Sequence, residues 1–249
     1  MISYKPMSDK PSVRSPWFWV PSLYFAQGIP YVAVMIVSVL MYKRLGVSNT
    51  DIALYTSWLN LPWVIKPFWS PFVDLLKTKR WWVATMQLLI GAGLAGVAFT
   101  IPTTFFFQAS LAVFWLLAFS SATHDIAADG FYMLALDSHE QAFFVGIRST
   151  FYRIAIIAGQ GVLVMFAGFL ENSTGNIPLA WSVTFFILGG LFLALFLYHR
   201  YILPLPKGDK PSATVTPSTI LKEFFATFAS FFKKKQAFVA IPFSGSPVD

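Results

Sequence analysis

Residues 81–123 read WWVATMQLLIGAGLAGVAFTIPTTFFFQASLAVFWLLAFSSAT, 43 positions without one charged side chain. About 20 apolar residues in helical form cross the hydrocarbon core of a bilayer, so this run is long enough to cross twice. Its break is Pro102-Thr103-Thr104, residues that favour a turn. Two spans therefore follow, one from Trp81 to near Thr100 and one from about Phe105 to Leu136. A soluble core could not hide so much apolar helix.

Outward from this pair the pattern repeats. The 28 residues from Ser15 to Tyr42 carry no charge, and neither do those from Asn172 to Tyr198. Apolar residues make up 56% of the chain and charged ones 12%, about half the share usual in soluble domains. Six segments result. The first covers Pro16 to Tyr42, with Gly28-Ile29-Pro30 as an expected kink. The second covers Asp51 to Val73 and is interrupted by Pro62, Lys66 and Pro67. The 81–123 pair supplies the third and fourth, Ala142 to Leu170 the fifth, and Leu179 to Leu203 the sixth. The expected fold class is an all-α membrane protein, with an amino-terminal segment at 1–15 and six transmembrane helices over 16–203. The first span is too long for the apolar core of a cleaved signal and is expected to stay in place. The absence of cysteine removes disulfides and thiol chemistry.

Basic residues orient the bundle. Lys5, Lys10 and Arg14 precede the first span, Lys77, Lys79 and Arg80 separate the second from the third, and Arg148 starts the fifth. Arg200, Lys207 and Lys210 follow the sixth, whereas the opposite side has only Lys43 and Arg44. Both termini are thus expected to be cytoplasmic. The net charge of +7 is mostly this asymmetry, so nucleic acid is not an expected partner. Beyond the sixth span, 204–217 reads as a linker and 218–235 as an amphipathic interfacial helix. An apolar run starts in the tail at 236–249 and stops at Pro242, as a truncated or aberrant end would.

Charges inside spans are costly and mark functional candidates. Here they are Lys66, Asp125, Asp129, Arg148 and Arg153, with His124 beside Asp125. Asp74, Asp137 and Glu140 mark the cytoplasmic surface. At about 1.5 Å per residue, Lys66, Asp129 and Arg148 lie about 12 Å inward, and Asp125 and Arg153 about 18–20 Å. Matching depths predict two layers of ion pairs, Asp125 with Arg153 and, nearer the surface, Asp129 with Arg148 or Lys66. Asp125 and Arg153, near the midplane, are the candidates for proton coupling or substrate contact. The outer layer suits helix locking or gating. Tyr24, Gln27, Asn60 and Gln160 are polar, mid-span cavity candidates.

At these residues the chain resembles a known family. Phe25-Ala26-Gln27-Gly28-Ile29-Pro30, Lys66-Pro67-Phe68-Trp69-Ser70-Pro71-Phe72-Val73-Asp74, Ser121-Ala122-Thr123-His124-Asp125-Ile126-Ala127-Ala128-Asp129 and Tyr152-Arg153 look like the AmpG-type muropeptide permeases. Those belong, with the acetyl-coenzyme A transporters, to the major facilitator superfamily. The resemblance implies the amino-terminal half of that fold, two three-helix repeats of inverted topology. It also implies proton-driven import of muropeptides across a bacterial inner membrane, with acetyl-coenzyme A or another solute as the alternative cargo. Asp74 takes the place of the superfamily's acidic residue between helices two and three, with Arg80 in the gating loop after it. Family members have twelve or more spans, so a second six-helix half or a homodimer partner is expected.

Other classes fit less well. No Gly-x-Ser-x motif stands in a span, as an intramembrane serine protease needs. Asp125-x-x-x-Asp129 is half of a Mg²⁺-pyrophosphate motif with no second pair. No enzyme activity, metal or cofactor is expected, although a non-transporting assembly protein would share the composition.

Overall fold

A computed structural model describes residues 15–210. The predicted interfacial helix at 218–235, the tail at 236–249, and Lys5, Lys10 and Arg14 lie outside the described residues.

The first segment is helix α1, Pro16–Arg44. It opens with a 3₁₀ turn at Pro16–Phe18, where a proline loses no hydrogen bond. Pro30 stays inside the helix, and the expected irregularity appears just after it, as a π-helical stretch at Ala33–Val37. Pro30 has no N–H to give the preceding turn, and the N–H of Ala33 is shared between the carbonyls of Ile29 and Pro30. The predicted kink is thus a widened turn.

The second segment differs from expectation. It is a chain of short pieces: α2 (Asn49–Thr56), a 3₁₀ turn (Ser57–Asn60), α3 (Leu61–Ile65), a second 3₁₀ turn (Lys66–Phe68) and α4 (Ser70–Leu76). Each of the last three pieces has a proline at its start, Pro62, Pro67 and Pro71. Proline ends one helix and is well placed to begin the next. Of the six expected spans, five are therefore continuous helices long and apolar enough to cross a membrane.

The others keep close to their predicted bounds. Helix α5 is Lys79–Thr100, capped by Thr78, whose hydroxyl accepts from the Trp81 N–H. Helix α6 is Phe106–Ala135. Helix α7, Ser138–Thr174, begins with a reciprocal capping box between Asp137 and Glu140. It contains a π stretch at Gly159–Leu163 and ends at Gly175, where φ is 64°. Helix α8 is Ile177–Ile202.

Helix α5 packs between α6 and α8, while α1 packs on α7 and α6, and α3 and α4 lie on α6. The α1–α7 contact is close: a Cβ on Gly28 would lie 2.8 Å from the Tyr152 carbonyl oxygen and 2.7 Å from the Ala155 Cβ. Small residues at such crossings let backbones approach where lipid offers no hydrophobic drive. The segment after α8 folds back onto α5. The Asp209 carboxylate accepts from the N–H groups of Lys79 (2.6 Å) and Arg80 (3.0 Å). This gathers Lys79, Arg80, Arg200 and Asp209 at one end of the bundle. At the other end Arg44 is paired with Glu171, which also accepts from the Trp181 indole at 2.7 Å, and Lys43 donates to Asn49 at 2.6 Å.

Candidate functional site

Helix α6 is the spine of the site. Asp125 and Asp129 are one turn apart and share a face, and three cationic side chains meet this helix from three neighbours. In the innermost tier, Lys66 Nζ of the second 3₁₀ turn stands 3.9 Å from Asp125 Oδ2. Asp125 is 7% exposed, with the side chains of Gln27 and Trp63 beside its carboxylate. Its Oδ1 and the Oε1 of Gln27 are both buried without a hydrogen bond. At 3.9 Å the ion pair is electrostatic rather than hydrogen-bonded.

In the next tier, Asp129 Oδ1 accepts from the Tyr24 hydroxyl at 2.9 Å and lies 3.6 Å from Arg148 Nη1. Arg148 also donates to the Tyr24 oxygen at 3.2 Å. Its guanidinium is held over the rings of Tyr24 (4.9 Å) and Tyr132 (5.1 Å). In the outer tier, the Lys79 side chain crosses α6 at Gly130 to pair with Asp74 of α4. A Cβ on Gly130 would meet Lys79 Cε at 2.8 Å, so the crossing uses the missing side chain. Lys66, Asp74, Lys79 and Asp129 line one cavity of about 520 Å³, with Ser70 and Gly130 in its wall. Chemically, this is a groove with charged groups in its wall, one of which, Lys66, also faces the buried Asp125 carboxylate, close enough to attract it and too far to lock it.

Some predicted residues fall elsewhere. Arg153 is exposed on α7 and does not meet Asp125. Five residues turn a helix by about 140° relative to Arg148, and Arg148 occupies the face that packs on α1. Tyr152 is the α7 residue whose electrostatic environment includes Asp125. Lys66 replaces Arg153 as the partner. Residue counting gives the depth of the backbone and takes no account of the long, flexible lysine side chain that spans the difference. The Arg80 Nη2 donates to the Arg200 carbonyl at the end of α8. Asn60 is half-buried at the end of its 3₁₀ turn and Gln160 is exposed in the π stretch of α7, both outside the ladder.

His124 turns away from Asp125 into the bundle. Its Nε2 lies 3.1 Å from Gln87 Nε2, and Gln87 in turn meets His199 Nδ1 at 2.9–3.0 Å. Ser22 Oγ completes the network 3.0 Å from His199 Nε2. Ser22, Gln87, His124 and His199 come from α1, α5, α6 and α8. Sequence reading passed over Gln87 and His199 because single polar residues in apolar helices carry no pattern. Lys79 was also missed as the partner of Asp74, since it reads as part of a loop. The signal for it was Gly130, one residue after Asp129.

Comparison with known proteins is consistent with a multi-pass membrane protein. The chain is 28% identical over 229 residues to the protein named AmpG 4 of Rickettsia conorii, covering 86% of this chain and 52% of that one. It is 24% identical over 227 residues to the anhydromuropeptide permease of Escherichia coli K12, covering 88% of this chain and 43% of the permease. The chain spans about half the length of these relatives. A family model matches residues 25–239, a stretch that holds the carboxylates and cations of the ladder and both histidines of the network, and by that match the chain belongs to the BT1 family.

Proposed function

We propose that this bundle forms one wall of the solute path of a secondary transporter, and that its cargo is a muropeptide carried inward with protons across a bacterial inner membrane. The observation that carries the reading is the inner tier of the ladder. A carboxylate 7% exposed, one oxygen without a hydrogen bond and its cation at 3.9 Å, is able to exchange that cation for a proton as helices move. A midplane acid whose partner is separable is what proton coupling needs, and intramembrane carboxylates commonly serve as proton relays. The similarity to the anhydromuropeptide permease of Escherichia coli supports the cargo. Asp129, Tyr24 and Arg148 hold the neighbouring helices in register, and Lys79 with Asp74 closes the surface end. Arg153, exposed and without a carboxylate within 4.0 Å among the described residues, lies on the α7 face available to solute or to a second bundle, carried by further sequence or by a second copy.

The test is uptake of labelled anhydromuropeptide into membrane vesicles from cells expressing the protein. Uptake should collapse with an uncoupler and fall about a hundredfold or more in Asp125→Asn, the scale at which general acid–base groups act. Uptake that ignores the uncoupler, or Asp125→Asn vesicles matching wild type, would remove the proton role. Accumulation of acetyl-coenzyme A but not muropeptide would reassign the cargo.

A further inference from the structure

Helices α1 and α6 run antiparallel, and two contacts fix their register. The Tyr24 hydroxyl donates to Asp129 at 2.9 Å, and the Tyr42 hydroxyl meets that of Ser110 at 2.8 Å. The steps from Tyr24 to Tyr42 and from Asp129 back to Ser110 are nearly equal, so the two helices stay level between these contacts. One turn inward of Tyr24 is Gln27, and one turn inward of Asp129 is Asp125. The register sets these two side chains at one height, and the Gln27 side chain stands beside the Asp125 carboxylate.

The two levels differ in what α1 offers. At the outer one, Tyr24 supplies an O–H donor, and Arg148 stands 3.6 Å from the same Asp129 oxygen. That carboxylate is served as an anion. At the inner level α1 presents an amide, whose oxygen can only accept. Gln27 Oε1 and Asp125 Oδ1 are both buried without a hydrogen bond. An ionised carboxylate is acceptor-only, so no rearrangement pairs these two atoms with each other. Lys66 does not supply the missing donor, since its Nζ is 3.9 Å from the other oxygen, Oδ2. The other groups around the carboxylate are Trp63 and Tyr152, with Asp129 one turn away. Two oxygens are too few to cage a hard metal ion, which takes about six. What they lack is one hydrogen.

We propose that Gln27 is the receptor for the coupling proton. Asp125, protonated from water, donates its O–H to Gln27 Oε1, while the Gln27 amide N–H donates to the other carboxyl oxygen. A carboxylic acid and a primary amide complement each other in both directions, whereas a carboxylate can only accept from the amide. Gln27 therefore gains a bond when the proton arrives and loses it when the proton leaves. Lys66 keeps its ammonium throughout, and its place in the cavity wall gives that charge somewhere to turn once Asp125 is neutral. The inference rests on the proton-coupled reading of Asp125 and adds the atom that holds the proton.

The experiment is infrared difference spectroscopy of the purified chain in lipid nanodiscs, between acidic and neutral pH. A carboxyl C=O band present in wild type and absent in Asp125→Asn identifies the protonated acid. In Gln27→Leu that band should move to higher wavenumber, because the carboxyl C=O no longer accepts a hydrogen bond. Wild-type protein carrying isotope-labelled glutamine needs no substitution at Gln27. One amide C=O band should fall to lower wavenumber in step with the appearance of the carboxyl band, and the shift should vanish in Asp125→Asn. No amide shift, or a carboxyl band unmoved by Gln27→Leu, overturns the role of Gln27 and leaves Asp125 as the proton carrier. Absence of an Asp125-dependent band at every pH removes the proton reading itself, and this proposal with it. An amide shift produced by sodium ions at constant pH also overturns it, by making the oxygen pair a site for a metal cation.

Discussion

Lys66 and Asp125 illustrate how unequally an ion pair within a membrane bundle is shared. The lysine side chain is 38% exposed and the aspartate side chain 10%. Removing the lysine strands a buried charge, whereas neutralising the aspartate leaves an ammonium that reaches the cavity. Lys66→Met should therefore destabilise by about 3 kcal/mol and Asp125→Asn by about 1 kcal/mol. The double variant should recover part of the larger cost, because the stranded charge is gone. Thermal unfolding in detergent reads all three, and equal costs for the single variants would show that the pair is no tighter than a surface contact. His124, adjacent to Asp125, belongs to a different environment. About 100° of helix rotation puts the carboxylate beside Lys66 and the imidazole among Gln87, His199 and Ser22.

Among the elements, the segment between α1 and α5 is the least like an ordinary span. Its prolines restart the helix three times, and the 3₁₀ turn they create delivers Lys66 to α6. The opposite design holds at the α1–α7 crossing, where Gly28 faces the Tyr152 carbonyl, a neighbour that cannot rotate away. Gly28→Ala should push the helices apart and cost about 1–3 kcal/mol, the usual range for overpacking. Because α1 carries Tyr24 and α7 carries Arg148, the same substitution should loosen the middle tier. A Gly28→Ala variant with the wild-type unfolding temperature would mean the crossing has slack that these distances do not show.

For the whole molecule, the open question is what faces the ladder. Charged groups in a bilayer turn toward protein or a water-filled cavity, and Arg153 has no carboxylate within 4.0 Å among the described residues. Alternating access needs two bundles rocking about a central site. A chain of these 249 residues, reconstituted at less than one copy per vesicle, should thus take up no more labelled muropeptide than empty vesicles. Uptake that appears only as copies per vesicle rise would identify a second copy as the other wall. Uncoupler-sensitive uptake at single-copy dilution would refute the two-bundle requirement.

Membrane class and the bounds of the long helices were legible in the residues alone, because the length of an uncharged run is a local property that the bilayer reads directly. The turn at Pro102, the starts of α5 to α8 and the gathering of basic residues at one end are of this kind. The pairing of charges was legible only in part. Counting residues yields depth, one coordinate of three, and depth was enough to bring Asp129 and Arg148 together. It failed for Asp125 and Arg153, since rotation about the α7 axis and the lateral packing of helices are not written in a residue count. It failed again for Lys66, whose long side chain reaches past its backbone depth to Asp125, and it said nothing of the Asp74–Lys79 pair, which forms where Gly130 leaves room for a side chain to cross. The four-helix network of Ser22, Gln87, His124 and His199 was wholly a product of tertiary structure. Its members are scattered over 177 positions of sequence, and only the packing of α1, α5, α6 and α8 makes them neighbours.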